Sequence, residues 1–312
     1  MTIIPVDWHI QDEWSVLEAV MVGTGMGMGP APRIDETFDP QSRQHVMAGT
    51  YPSEADVIEE LERLASTFES NGVRVLRPDL VQMNQVFTRD IGIVIGNQFI
   101  MTHMVEDRVK EQDGLKSMLN RNPGEVLHPP STVQMEGGDV MPMGNEIWVG
   151  YAEDDSFNQF TTARTNKAAL DWLTSKFPSK NVLGFELVKS DEDPLRNALH
   201  LDCCLAPLGR GHLLVHKDGF KNHDQLNLIL SRYLESQILD ISAEEMAQMH
   251  CNVFSLSHDV VLSGKGFKRT NEQMRKWGYE VIEIDLTETA KMGGLLRCST
   301  MPLRRNPGPT HS

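Results

Sequence analysis

Residues 199–204 read LHLDCC, which sets a histidine, an aspartate and two adjacent cysteines into six positions. A thiol beside an imidazole and a carboxylate is a common way to build a nucleophile. Read as a strand, the segment puts His200, Asp202 and Cys204 on one face and Leu201 and Cys203 on the other. Cys203 is then a core side chain, because a buried free cysteine behaves as a small hydrophobe. Cys204 leads into the apolar LAPL with no cation close by. Cys298 lies in GGLLRCSTMPLRR, with Arg297 before it and Arg304 and Arg305 after it. Positive neighbours favour a thiolate, so Cys298 is the expected nucleophile and LHLDCC supplies its helpers, His200 first among them. A thiolate, a histidine and several carboxylates together suit a guanidinium, which is planar, cationic and matches carboxylates with a fork of donors. Asp90 and Asp202 would hold such a group over Cys298.

Distant residues meet only if the fold brings them together. Four short apolar segments align: DIGIVIGNQFIM from Asp90, DVMPMGNEIWVG from Asp139, DCCLAPLGRGHLLVH from Asp202 and NVFSLSHDVVLSG from Asn252. Each opens on a small polar residue, runs as a strand, turns, and returns. A fifth, CSTMPL from Cys298, lacks a return strand, and LEAVMVG (17–23) is available to supply it. Between the hairpins lie helices that end in glycine and a strand. Ser53 and Asp56 open one such helix with capping-box spacing, and Val57, Ile58, Leu61, Leu64, Ala65 and Phe68 follow at helical intervals. Asn71-Gly72 stops it, as a left-handed cap would. TNEQMRKWGYEVIEIDL repeats the order with Gly278. Starts spaced by about fifty to sixty residues suit a repeat architecture. Five such units, the last completed by the first strand, predict a closed α/β ring with Asp90, Asp139, Asp202, Asn252 and Cys298 near its axis.

The totals narrow the function. The chain of 312 residues is 40% hydrophobic and 23% charged, an ordinary composition for a globular protein. Its formal charge of −15 disfavours nucleic acid and anionic membrane surfaces and would draw in a small cation. No CxxC spacing suggests zinc, and His212 and His216 read as two satisfied histidines, so no metal is expected. GTGMGMGPAPR (23–33) lacks the spacing of a dinucleotide loop, so no cofactor is expected. It is long and irregular enough to be a mobile loop over a site. The start shows no signal-peptide pattern, and no stretch has the length of a membrane span. The expectation is a cytoplasmic protein in which residues 1–312 form one catalytic unit, with 304–312 as a flexible tail. A homo-oligomer is compatible with the sequence.

FTRDIGIVIG, MEGGDVMPMG, ARTN, HLDCC and GGLLRCSTMPLRR, in that order over nearly the whole chain, resemble the motifs of the guanidino-group-modifying superfamily. That group holds arginine deiminases, dimethylarginine dimethylaminohydrolases, arginine dihydrolases and amidinotransferases. The resemblance implies a five-bladed α/β propeller, the pentein fold. It also implies that Asp90 and Asp202 bind the guanidinium, that His200 is the catalytic histidine, and that Cys298 forms a covalent intermediate. Glu136 matches the acid that orients the histidine. Asp139 matches either a substrate-binding residue or a structural ion-pair partner of an arginine such as Arg89. Arg164 matches an arginine that holds a substrate α-carboxylate in several members, with a structural role as the alternative. Within the superfamily EGGDVMPMG resembles the deiminases and hydrolases, whereas DEWSVLEAVMVG resembles the N-terminal region of amidinotransferases. The stretch around Gly293 lacks the arginine that bacterial arginine deiminases place a few residues before the cysteine. A hydrolase of arginine or a substituted arginine is the first reading, an amidinotransferase the second, and a non-enzymatic sensor of guanidino ligands the third.

Overall fold

The hairpins form where the aligned segments predict them, in a computed structural model that describes residues 5–122 and 124–306. Gly92–Ile95 pairs with Gln98–Met101, Val140–Met143 with Glu146–Tyr151, Leu205–Leu208 with His212–Val215, and Phe254–Ser255 with Val260–Gly264, all antiparallel. Gly96 and Gly144 sit in the turns with φ of +58° and +69°, a conformation that costs glycine little. In each case the chain then crosses over and adds a third strand parallel to the second: Val126–Leu127, Asn181–Glu186, Ile238–Asp240 and Glu280–Ile284. The result is five three-stranded sheets, the blades of a pseudo-symmetric α/β propeller.

The remaining blade closes the ring. Val16–Val22 lies between Thr300–Asn306, antiparallel, and Arg74–Leu76, parallel, with Val20 opposite Pro302 and Met21 opposite Met301. The helix Glu54–Ser70 makes its crossover. Ser53 caps it by accepting from the Asp56 N–H, and Val57, Leu61, Leu64, Ala65 and Phe68 are buried along one face. Burial stabilises each large apolar side chain by roughly 1.5–3 kcal/mol. Gly72 ends the helix at φ +77°.

Two expectations need correction. Residues 304–306, assigned to a flexible tail, are the end of the closing strand. Arg305 is buried there, its Nη2 donating to the Ser255 carbonyl and its guanidinium over the Phe254 ring at 5.1 Å. Residues 307–312 lie outside the described residues. The second correction is that Leu201–Cys204 is a single helical turn and not the start of a strand. Asp139 Oδ1 accepts from the Leu201 N–H at 2.9 Å, and the turn lets His200, Asp202 and Cys204 point in different directions.

That contact belongs to a repeated set that ties neighbouring blades together. Asp90 Oδ1 accepts from the Gly138 N–H, Asp139 Oδ1 from Leu201, and Asn252 Oδ1 from Arg297 and Cys298. The Arg89 N–H donates to the Cys298 carbonyl. At three of the five junctions the polar residue that opens one hairpin thus grips the backbone just before the opening residue of the next; Asp202 instead accepts from the Arg297 side chain, and its carbonyl lies 3.4 Å from Asn252 Nδ2.

Candidate active site

A cavity of about 190 Å³ opens at this convergence. Asp90, Arg164, His200 and Cys298 border it, together with Arg108 and Glu111. Met28, Pro30 and Pro32 of the glycine-rich 23–33 loop line part of it. Glu136, Asp139 and Asp202 are fully enclosed behind the wall.

His200 is held from behind. Its Nε2 lies 3.0 Å from Glu136 Oε2, while Nδ1 has no hydrogen-bond partner and lies 3.8 Å from Asp90 Oδ1. A side chain on Gly138 would meet the imidazole Nδ1 at 2.6 Å, and one on Gly137 would run into the Arg89 carbonyl, which explains the glycine pair of EGGD. Burial works against a charged imidazole here, but Asp90, Asp139 and Glu136 outweigh it and raise the His200 pKa to about 9. At neutral pH the ring carries a proton. Burial would also raise Glu136, yet Arg164, the His200 hydrogen bond and Arg108 hold it well below the usual carboxylate range.

Arg164 spends its donors on the protein: Nη1 on Glu136 at 3.2 Å, Nη2 on the Phe38 carbonyl and Nε on the Thr161 carbonyl. Its first task is to fix Glu136 while presenting an edge to the cavity. Asp139 does not border the cavity. It supports the Leu201 backbone, and Arg89 donates instead to the Arg297 carbonyl. Asp202 Oδ2 accepts from Arg297 Nη1 at 2.9 Å, and its two oxygens lie 3.9 and 3.8 Å from the Cys298 sulfur.

The cations flanking Cys298 in sequence do not activate it. Arg297 turns away from the thiol and is neutralised by Asp202 and by Glu13, which lies on the segment before the first strand. Arg304 pairs with Glu18. Burial and the carboxylates of Asp202 and Asp90 push the Cys298 thiol well above its ordinary value, the opposite of the effect expected from its neighbours in the chain.

Several site residues escape a motif-by-motif reading. Arg108 makes a two-pronged pair with Glu111, at 2.8 and 3.0 Å, and also reaches Asp90 at 3.0 Å. Its short helical segment, Glu106–Leu115, reads as an ordinary solvated charge run. Glu111, buried and close to Asp90 and Glu136, is raised to about 7 despite Arg108. Asn252 was placed on the axis by the repeat, and its contact with Cys298 appears only in three dimensions. Donor atoms of Asp90, Glu136 and His200 fall within 4.8 Å of one another, but Arg108 and Arg164 already neutralise the two carboxylates. His212 bonds the Tyr279 hydroxyl and His216 the Ile241 carbonyl. Among the described residues, no helix is long and apolar enough to cross a membrane.

A five-bladed α/β propeller with a thiol, a histidine and buried carboxylates at its axis is the architecture of guanidino-modifying enzymes. Residues 41–305 match the family model described as N,N dimethylarginine dimethylhydrolase, eukaryotic, and the chain belongs to that family. It is 28% identical over 247 residues to the uncharacterised protein YkgA of Bacillus subtilis, which covers 78% of each chain. Among solved structures it resembles SxtG, an amidinotransferase from Microseira wollei, with a TM-score of 0.74, 21% identity and coverage of 98% and 99% of the two chains. It also resembles the substrate-bound N-terminal domain of the cyanobacterial arginine dihydrolase ArgZ, with a TM-score of 0.75, 20% identity and coverage of 93% and 99%. These two likenesses bear on the fold.

Proposed function

We propose that the protein is a cysteine-dependent hydrolase that cleaves a C–N bond in the guanidino group of arginine or a substituted arginine. The observation that carries this reading is the Cys298 sulfur at a cavity wall shared with His200, flanked by the Asp90 and Asp202 carboxylates. Of the two carboxylates that oppose a thiolate, Asp90 borders the cavity, where a guanidinium would neutralise it, while Asp202 is already paired with Arg297 behind the wall. Substrate entry therefore lowers the barrier to deprotonating Cys298. The sulfur adds to the guanidinium carbon, the C–N bond to the departing amine breaks, and protonated His200 gives that amine its proton. The neutral imidazole then takes a proton from water as the water attacks the same carbon. The C–S bond breaks, leaving a urea or ureido product and the thiol.

Arg108, which also borders the cavity, suits a substrate with a carboxylate at its other end, whereas the Arg164 donors are taken by Glu136 and by the Phe38 and Thr161 carbonyls. Arg108 now lies against Asp90; on binding, the substrate guanidinium takes Asp90 and its carboxylate takes Arg108. Residues 1–312 act as one catalytic unit, and the four free cysteines suit a reducing compartment such as the cytoplasm. An amidinotransferase is the second reading, favoured by the resemblance of the N-terminal segment to that of amidinotransferases. Mass-spectrometric product analysis separates the two. Purified protein is incubated with arginine, methylated arginines, agmatine and guanidinoacetate, with and without added amines. A ureido product, or ornithine with ammonia, formed without an amine supports the hydrolase. Turnover only with an amine, giving a new guanidino compound, moves the protein to the transferases.

A further inference from the structure

Asn252 holds one of the five axial positions, and it is neither a carboxylate nor a thiol. Its side chain is fully buried. Oδ1 accepts from the backbone N–H groups of Arg297 at 2.9 Å and Cys298 at 3.1 Å. Turning the amide over would set its own N–H groups against those two donors, so its orientation is determined. Nδ2 must therefore face the Cys298 sulfur, at 3.2 Å, while it also approaches the Asp202 carbonyl at 3.4 Å.

The backbone at Leu295 favours the thiolate, but the other side chains near that sulfur do not help it to ionise. Asp202 and Asp90 oppose a negative charge, and the Cys203 thiol points at the same Asp202 oxygen from 3.6 Å. Arg297 is spent on Asp202 and Glu13, and His200 stands with Glu136. Among the described residues, Asn252 is the side-chain donor within hydrogen-bond reach of Sγ. Three of the other four axial positions are aspartates. An aspartate here would keep the backbone contacts but bring one more carboxylate against the sulfur.

We propose that Asn252 is a catalytic residue, its Nδ2–H donating to the Cys298 sulfur and stabilising the thiolate as nucleophile and as leaving group. The proposal rests on Cys298 being the nucleophile. The thiol proton leaves to water, and no bond to Asn252 forms or breaks. Hydrogen bonds to an ion are stronger than those between neutral groups, so the contact tightens as the charge develops.

The test is the rate at which neutral iodoacetamide alkylates Cys298 in the full chain at pH 8, followed by peptide mass spectrometry. Asn252→Asp keeps Oδ1 for the two backbone donors and removes the donor to sulfur. Asn252→Leu removes acceptor and donor without adding charge. While the thiol pKa lies above the assay pH, each unit of further rise slows alkylation about tenfold. Both variants are expected to react at least about tenfold more slowly at Cys298, with unchanged circular dichroism. Wild-type speed in Asn252→Leu would make the aspartate effect one of charge, and wild-type speed in Asn252→Asp would leave only a scaffolding role; either overturns the proposal. Full turnover by Cys298→Ser would instead overturn the nucleophile assignment, which keeps the two failures apart.

Discussion

Replacing His200 by glutamine should change how the stability of the protein responds to pH. The folded-state pKa of about 9 stands against an ordinary value of 6.5, and a shift of that size corresponds to about 3 kcal/mol. Because the folded value is the higher one, protonation favours the folded state. Below pH 6.5 the folded and unfolded chains both hold the proton, and the full contribution is present. Between 6.5 and 9 the unfolded chain has lost its proton while the folded one keeps it, so stability falls by about 1.4 kcal/mol per pH unit. Above 9 the contribution is gone. Urea unfolding of wild type and His200→Gln at pH 6, 7.5 and 9 isolates this effect. Glu111, raised to about 7, is present in both proteins and largely drops out of the difference. The stability difference between the two proteins should shrink by about 3 kcal/mol across the range. A difference that stays constant with pH would refute the claim that three carboxylates hold His200 in its charged form.

Cys298→Ser should abolish turnover, since a hydroxyl at this position has no base to activate it, while the thermal unfolding midpoint shifts by only a few degrees. Arg108→Lys keeps a charge but loses the fork to Glu111. KM should rise about tenfold or more for guanidino substrates that carry a carboxylate and stay nearly constant for agmatine, and an equal change for both would count against a carboxylate role. Gly138→Ala puts a methyl group 2.6 Å from the His200 Nδ1. It should lower kcat by at least about a hundredfold with the fold intact by circular dichroism, and normal turnover would show that His200 need not stand where it does.

The propeller is legible because four blades repeat a local pattern: a small polar residue, a strand, a tight turn, a return strand and a crossover. Short-range chemistry sets each of these steps, and the repeat extends them to the ring. His200, Glu136 and Cys298 follow from motifs that keep their spacing. What the sequence conceals is partnership between blades. Arg297 beside Cys298 reads as an activator of the thiol, yet a residue next in the chain points elsewhere, and its charge is claimed by Asp202 and Glu13. Arg108 lies in an unremarkable charged segment, and only the fold brings it against Asp90 and Glu111. Alternation in LHLDCC suggests a strand, because it cannot reveal that a carboxylate from the preceding blade, Asp139, holds the Leu201 N–H and fixes a helical turn.

The clasp between Val16–Val22 and Thr300–Asn306 bears on how the protein is made. Its two halves lie roughly 280 residues apart in the chain. During synthesis the early strand leaves the ribosome without its antiparallel partner, an open edge of apolar residues able to capture other chains. Contacts this distant in sequence also slow folding. The clasp begins at Thr300, two residues after Cys298. The nascent protein therefore receives Cys298 and the strand that seals the ring in the same short stretch of translation; if Cys298 is the nucleophile as proposed, a partly made chain holds the histidine and the carboxylates without the sulfur they would serve.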